Sequence, residues 1–182
     1  MIKEIYHATS PENCKKIMAN GFIFPRVNWQ YFYSQSGKHP GSLGFGVYGF
    51  LNDRMLAQKF YKKDDVPGIL KITLELDPDY ELNFVDNLED MMLFRAFLQE
   101  QEIHKTLDYI RRNYQNKFTQ HELDGALIEY YIRELKRHGD ALINDVCCAT
   151  TTAIYKNIKT YIPNGVEYCL RNDETIKTIE VE

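Results

Sequence analysis

The alternation of apolar and polar residues predicts most strands of this chain. Residues 68–76 (GILKITLEL) alternate most regularly, as a half-buried strand does. Other runs predict further strands over residues 3–7, 80–84, 140–149, 166–171 and 175–181. Short turns at 163–165 and 172–174 precede the last two strands, and we therefore expect an antiparallel or mixed sheet.

Apolar residues at helical spacing predict two helices in the first third of the chain. The first covers residues 11–20, with Ser10 as its N-cap and Gly21 in a left-handed conformation after its last turn. The second covers residues 54–62 and follows an Asn-Asp pair that can cap it.

A helical insertion is predicted to interrupt the strands. Residues 86–137 carry apolar side chains at helical spacing and predict two or three helices packed on the sheet, the last of them beginning near Thr119. The charged residues between the apolar ones predict solvated faces. Threonines 150–152 can cap a further short helix that ends near Lys159.

Two segments of unusual composition are candidates for ligand contact. Residues 22–41 follow no period and mix aromatic side chains with Pro, Gly and Ser, which predicts an irregular loop that contacts a ligand or is held by a few buried rings. Residues 42–50 alternate, with Gly44 and Gly46 on one side and Tyr48 at its edge. Glycines at these positions leave room for a ligand close to the backbone.

Length, charge and cysteine content narrow the class of protein. The 182 residues suffice for one domain with a modest insertion. We expect a cytoplasmic protein without membrane contact, because neither a signal peptide nor an apolar run of ~20 residues is present. The net charge of −4 argues against a broad nucleic-acid-binding face but is compatible with a small basic groove. The four cysteines lack paired spacing and predict free thiols and no metal site.

Three motifs, taken together, carry the candidate chemistry. The first is a strand that ends in Tyr6-His7-Ala8-Thr9-Ser10, followed by a helix that ends at Gly21-Phe22. The second is Gly44-Phe45-Gly46-Val47-Tyr48, followed by a helix with Ala57 and Phe60-Tyr61. The third is a late strand, Glu167-Tyr168-Cys169-Leu170, followed by a turn and the closing strand.

In this order, the motifs resemble the ADP-ribosyltransferase superfamily, in the His-Tyr-Glu branch of diphtheria-type toxins and poly(ADP-ribose) polymerases. The resemblance covers residues 3–80 and 140–182. It implies an α+β fold in which a split mixed or antiparallel sheet forms the core of a single domain over residues 1–182, with the helical insertion at about 86–137.

The resemblance also implies that NAD is the substrate, and that no metal takes part. His7 would hydrogen-bond the adenosine ribose, and the backbone of Ala8 would bind the nicotinamide amide. Tyr48 would stack on the nicotinamide ring beside Gly46, and Glu167 would stabilise the positive charge that develops on the ribose. The second wall of the nicotinamide pocket would be Phe60 or Tyr61, and Thr9 or Ser10 would orient the glutamate.

This resemblance predicts an NAD-dependent mono-ADP-ribosyltransferase that modifies a protein or nucleic-acid acceptor and releases nicotinamide. An NAD glycohydrolase would use the same site with water as acceptor, and an inactive module would bind only a nucleotide or a partner. An RNA 2′-phosphotransferase is less consistent with the first motif, where His7 is the one basic residue. The sequence departs from the family pattern at Ala8, where Gly is usual, and has Gly165 where arginine-directed relatives carry a second glutamate.

Overall fold

Seven strands form one mixed sheet in this computed structural model, which describes residues 1–32, 38–62, 65–114, 119–139, 142–153 and 160–182. The strands are β1 (Ile2–Thr9), β2 (Val47–Leu51), β3 (Gly68–Glu75), β4 (Glu81–Phe84), β5 (Asp145–Thr150), β6 (Gly165–Leu170) and β7 (Ile176–Val181). Their order in the sheet is β4-β5-β6-β2-β1-β3-β7. The β4–β5 pair is parallel and the other neighbours are antiparallel, which confirms the predicted mixed sheet of an α+β protein.

Six α-helices lie in the described part of the chain. They are α1 (Pro11–Asn20), α2 (Trp29–Phe32), α3 (Arg54–Phe60), α4 (Leu88–Gln99), α5 (His104–Tyr114) and α6 (Gln120–Arg137). Helices α4 to α6 occupy the predicted insertion, and α6 follows Thr119, whose N–H donates to Glu122 at 3.0 Å. None of these described helices is long and apolar enough to cross a membrane.

The segment from residue 22 to residue 51 differs most from its prediction. One helical turn, α2, lies within the predicted irregular loop, and the alternating segment 42–50 forms a strand only from Val47. Gly41 and Gly44 instead close a tight turn through two reciprocal backbone hydrogen bonds of 3.0 and 3.2 Å. Gly44 has a φ of 100°, so the alternation up to residue 46 came from a turn.

Other predicted boundaries shift by a few residues. Helix α1 is capped by Ser10 as predicted, but Gly21 combines a positive φ with an extended ψ, so it is not in the left-handed helical conformation. Strand β5 begins at Asp145 rather than at 140. The helix predicted up to Lys159 falls largely on residues 154–159, and the predicted loop includes 33–37, both outside the described residues.

The sheet curves so that its two halves approach each other at one end of the strands. Thr175 Oγ1 donates a hydrogen bond of 2.8 Å to Asp145 at the start of β5, and the Thr175 carbonyl accepts one of 2.8 Å from the N–H of Glu75 at the end of β3. In the flat order of the sheet, three strands separate β5 from β3. The short connection from β6 therefore does not form a hairpin with β7, which pairs with β3 at the edge.

The curved sheet buries a different core on each face. The concave core joins Ile5, Ile72 and Leu74 to Tyr168 and Leu170 of the opposite half. On the other face, Val146 and Cys169 pack with Ile110 of α5 and Ala126 of α6. The predicted packing of the helical segment against the sheet is thus confirmed.

Candidate functional site

The three motif residues His7, Tyr48 and Glu167 lie on three adjacent strands. Strand β2 is the middle one, with β1 on one side and β6 on the other. Tyr48 is directly opposite Cys169, and Phe50 is directly opposite Glu167. Tyr48 and Glu167 therefore share one face as diagonal neighbours, whose Cβ atoms are roughly 7–8 Å apart in such a pair.

His7 lies just beyond the point where the backbone pairing between β1 and β2 ends. The last direct pair of that ladder is Tyr6 with Phe50, and beyond it His7 Nδ1 lies 2.6 Å from the Tyr48 carbonyl oxygen. Because a carbonyl only accepts, we assign the hydrogen to Nδ1, which leaves Nε2 as an acceptor. Burial lowers the pKa of His7 against the opposing effect of this hydrogen bond, so the ring is mainly neutral at pH 7.

A cavity of about 560 Å³ opens beside His7, between α1, the residues that follow it and the start of β2. Thr9, Gly46 and Tyr48 also line it. Two lysines also line it, Lys16, which pairs with Glu12, and Lys38. This volume lies within the range of about 300–1,000 Å³ that is usual for small-molecule sites.

The Tyr48 ring projects from the opposite face of the sheet to His7, so that its backbone, whose carbonyl contacts His7, borders the cavity. Its hydroxyl donates to the Gly44 carbonyl at 2.6 Å and accepts from the Leu43 N–H at 2.9 Å. Burial is the main cause that raises the pKa of Tyr48, and the charge of Glu167 adds to it. The ring is thus fixed to the 41–44 turn in its neutral form.

The space beside the motif glycines is filled by the chain itself. A Cβ at Gly46 would meet the Leu170 carbonyl oxygen and the Cys169 sulfur, and one at Gly44 would meet the Glu129 carboxylate. The expectation that these glycines leave room for a ligand is therefore wrong on the side where a Cβ would lie, because other parts of the chain fill that space. Their role there is to let the 41–46 segment approach β6 and α6, although Gly46 still borders the cavity.

Glu167 is buried, with 5% of its surface exposed. Its Oε2 accepts a hydrogen bond of 2.6 Å from the Ser42 hydroxyl. Burial raises the pKa of Glu167, while the Ser42 hydrogen bond and the nearby His121 act in the opposite direction. A carboxylate with only a hydroxyl for a partner keeps much of its charge available for an approaching cation.

The other predicted residues lie outside the lining of the cavity. Ala8 packs near Phe50 and α3, and Ser10 accepts from the Asn13 N–H as the cap of α1. The Phe60 ring lies edge-on to Phe50 at 5.4 Å, and the Tyr61 hydroxyl donates to Asp65. The structure thus groups His7, Thr9, Gly46 and Tyr48 at the cavity, and it places Phe60 and Glu167 around Phe50 instead.

A buried ion pair beside this site was not predicted from the sequence. Arg171 donates two hydrogen bonds, of 2.5 and 2.9 Å, to the two carboxylate oxygens of Glu129 in α6. Glu129 also accepts the Phe45 N–H at 2.6 Å. The interpretation of the helical charges as solvated is wrong for Glu129, which is 1% exposed. Its place three residues after Ala126, on the apolar face of α6, was the available signal.

No family model, curated protein or solved structure matches the chain. Within the described residues, no three side chains of the metal-binding types come together. Function is therefore argued from the motifs and from the geometry of the site.

Proposed function

We propose that this protein is an NAD-dependent mono-ADP-ribosyltransferase, which transfers ADP-ribose to a macromolecular acceptor and releases nicotinamide. One observation supports this most. His7, Tyr48 and Glu167, which are spread over almost the whole chain, lie on the adjacent strands β1, β2 and β6. These are the residues on which the resemblance to this superfamily rests, with Tyr48 and Glu167 on one face of the sheet and His7 on the other.

The cavity beside His7 offers groups that suit the donor. The neutral ring can accept a ribose hydroxyl at Nε2, because Nδ1 is held by the Tyr48 carbonyl. Lys16 and Lys38 can attract the diphosphate of NAD. On the opposite face of the sheet, the fixed ring of Tyr48 lies beside Glu167, where it would stack on nicotinamide.

Glu167 would act on the bond that breaks. The glycosidic bond between the ribose carbon and nicotinamide breaks, and its electron pair leaves with nicotinamide. The ribose carbon becomes positively charged, as in glycoside hydrolysis, and a carboxylate stabilises that charge. The acceptor then bonds to the carbon and loses its proton to solvent. In this proposal the substrate approaches from the side of Ser42, whose hydroxyl now covers the carboxylate.

A nucleotide-binding module without catalysis is the second candidate function. The burial of Glu167 and its place outside the lining of the cavity favour it. In that case NAD would bind beside His7 and remain intact.

Nicotinamide release distinguishes these functions. NAD would be incubated with the wild type, with Glu167→Gln and with Glu174→Gln, a matched control in an exposed turn. Each would be measured with and without cell lysate as a source of acceptor, and NAD binding would be measured by calorimetry. We expect release by the wild type and the control, and a loss of roughly 10²–10³-fold in Glu167→Gln with binding retained.

The pattern of results separates the alternatives. Release that depends on lysate indicates transfer, whereas release without lysate indicates a glycohydrolase. Binding without release by the wild type supports the inactive module. If NAD does not bind, both the transferase and the NAD-binding module are excluded.

A further inference from the structure

A second cavity, of about 300 Å³, lies on the other side of the 25–29 segment. Its walls come from that segment, from the second half of α6 and from the residues that follow β6. Val27, Ile132 and Ile143 make part of it apolar. It borders the cavity beside His7, since Pro25 lines both and the neighbours Phe45 and Gly46 line one each.

The charges around this second cavity are predominantly positive. Arg26, Arg133, Lys136 and Arg171 line it, and Glu129 is the one acidic residue among the lining residues that the structure describes. Glu129 is fully engaged by Arg171 and by a backbone N–H, so that these two charges cancel. Among the described lining residues, an excess of three cations remains on a chain whose net charge is −4.

Two of these cations have no partner within the described structure. No described carboxylate lies within salt-bridge distance of Arg26 or Lys136, whereas Arg137 in the next turn pairs with Glu134. A helix C-terminus attracts cations, which can account for Lys136. It does not account for Arg26, which comes from a separate segment and lines the same cavity.

Arg133 is held in a position that suits an anion. Its guanidinium lies over the Trp29 ring, 4.6 Å from the centroid. Stacking occupies the flat face of the guanidinium and leaves the N–H groups at its edge for a ligand in the same plane. Two N–H groups of arginine match two oxygens of a phosphate.

We propose that this second cavity binds a terminal phosphate group, such as that of a mononucleotide or of a 5′-phosphorylated strand end. Arg133 would bind the phosphate through its N–H edge, with Arg26 and Lys136 at the rim, and the apolar wall would contact the group that carries it. The binding site does not depend on the proposed function. If the transferase proposal also holds, a phosphate-bearing acceptor would lie beside the donor.

Binding without NAD tests this proposal. Cytidine 5′-monophosphate is a suitable probe because it contains neither adenine nor nicotinamide, and cytidine is its control. The protein variants are Arg26→Gln with Lys136→Gln, and Arg95→Gln with Lys105→Gln as a matched pair of exposed cations on α4 and α5. Titration calorimetry at low and high salt would measure each affinity.

We expect the monophosphate to bind more tightly than cytidine, with an affinity that falls as salt increases. The Arg26/Lys136 variant should lose roughly tenfold or more in affinity, and the Arg95/Lys105 variant should keep it. Arg133→Lys, which retains the charge but not the planar N–H edge, should also weaken binding. Undetectable binding of the monophosphate, or equal affinity in the two double variants, would overturn the proposal.

A second arm identifies the source of the phosphate. Short single strands of one sequence, with either a 5′-phosphate or a 5′-hydroxyl, would be titrated in the same way. Tighter binding of the phosphorylated strand than of the mononucleotide indicates a strand end, and the reverse order indicates a free nucleotide. Equal affinity for the two strands, together with equal affinity for cytidine and its monophosphate, would contradict the proposal.

Discussion

Two buried glutamates on either side of the 41–45 segment have very different surroundings. Glu129 receives both N–H groups of the Arg171 fork and the Phe45 N–H. Within the described part of the chain, Glu167 receives a hydrogen bond from the Ser42 hydroxyl alone, and burial raises its pKa. A carboxylate with a complete set of donors holds structure together, whereas one with a single neutral donor retains the capacity to interact with a ligand.

Glu129→Gln should produce the largest change in stability. The substitution leaves the Arg171 guanidinium buried without a counter-charge, which costs about 3–5 kcal/mol of the free energy of unfolding. Urea unfolding measures it, and Glu12→Gln, in an exposed pair with Lys16, is the control that should change little. A Glu129→Gln protein as stable as the wild type would contradict the claim that Glu129 stabilises the fold.

Asp145 extends the comparison to a third buried carboxylate. It has a hydroxyl donor, Thr175, and an Oδ2 without a partner in the described structure. Burial raises its pKa from 3.8 to about 6, so ionisation favours the unfolded chain. Its effect on stability is absent below pH 3.8 and becomes fully destabilising as pH rises above 6.

Asp145→Asn removes this charge. The variant should therefore gain stability relative to the wild type between pH 4 and pH 8, by about 2.4 kcal/mol. Urea unfolding at the two pH values measures the difference, and any constant effect of packing cancels. A difference between variant and wild type that is the same at both values would show that Asp145 ionises normally.

Tyr48→Phe addresses the turn that connects the two glutamates. That turn carries the Ser42 hydroxyl to Glu167 and precedes the Phe45 N–H that binds Glu129. Loss of the Tyr48 hydroxyl leaves the buried Leu43 N–H without its partner and the Gly44 carbonyl with the Gly41 N–H alone, at a cost of about 1–3 kcal/mol. Thermal unfolding would detect it, and Tyr161→Phe, at a fully exposed position, is the matched control. Equal melting temperatures for the two variants would mean that the hydroxyl does not hold the turn.

Local patterns in the sequence were sufficient for most elements of the fold. The regular alternation of β3, the Ser10 cap of α1 and the helical spacing around α6 each depend on near neighbours in the chain. The alternation over 42–46 was misleading, because a turn that buries Leu43 and Phe45 shows the same period as a strand. The curvature of the sheet could not be predicted, since the Asp145–Thr175 contact joins segments whose own sequences do not specify it.

Only part of the candidate site could be predicted from the sequence. Of the residues that the motifs grouped, His7, Thr9, Gly46 and Tyr48 line one cavity, and Glu167 lies outside its lining. The burial of Glu167 under Ser42 depends on where the turn packs, and the Glu129–Arg171 pair depends on how α6 crosses β6. Both are properties of the tertiary structure that residue spacing does not encode.

The most direct test measures two properties of Glu167→Gln in parallel: its free energy of unfolding and its rate of nicotinamide release from NAD. We predict stability within about 1 kcal/mol of the wild type, because the Ser42 hydrogen bond can persist and a buried charge is removed. Release should fall by roughly 10²–10³-fold. A variant that releases nicotinamide at the wild-type rate, or that loses stability as Glu129→Gln does, would contradict the assignment of Glu167 to chemistry rather than to structure.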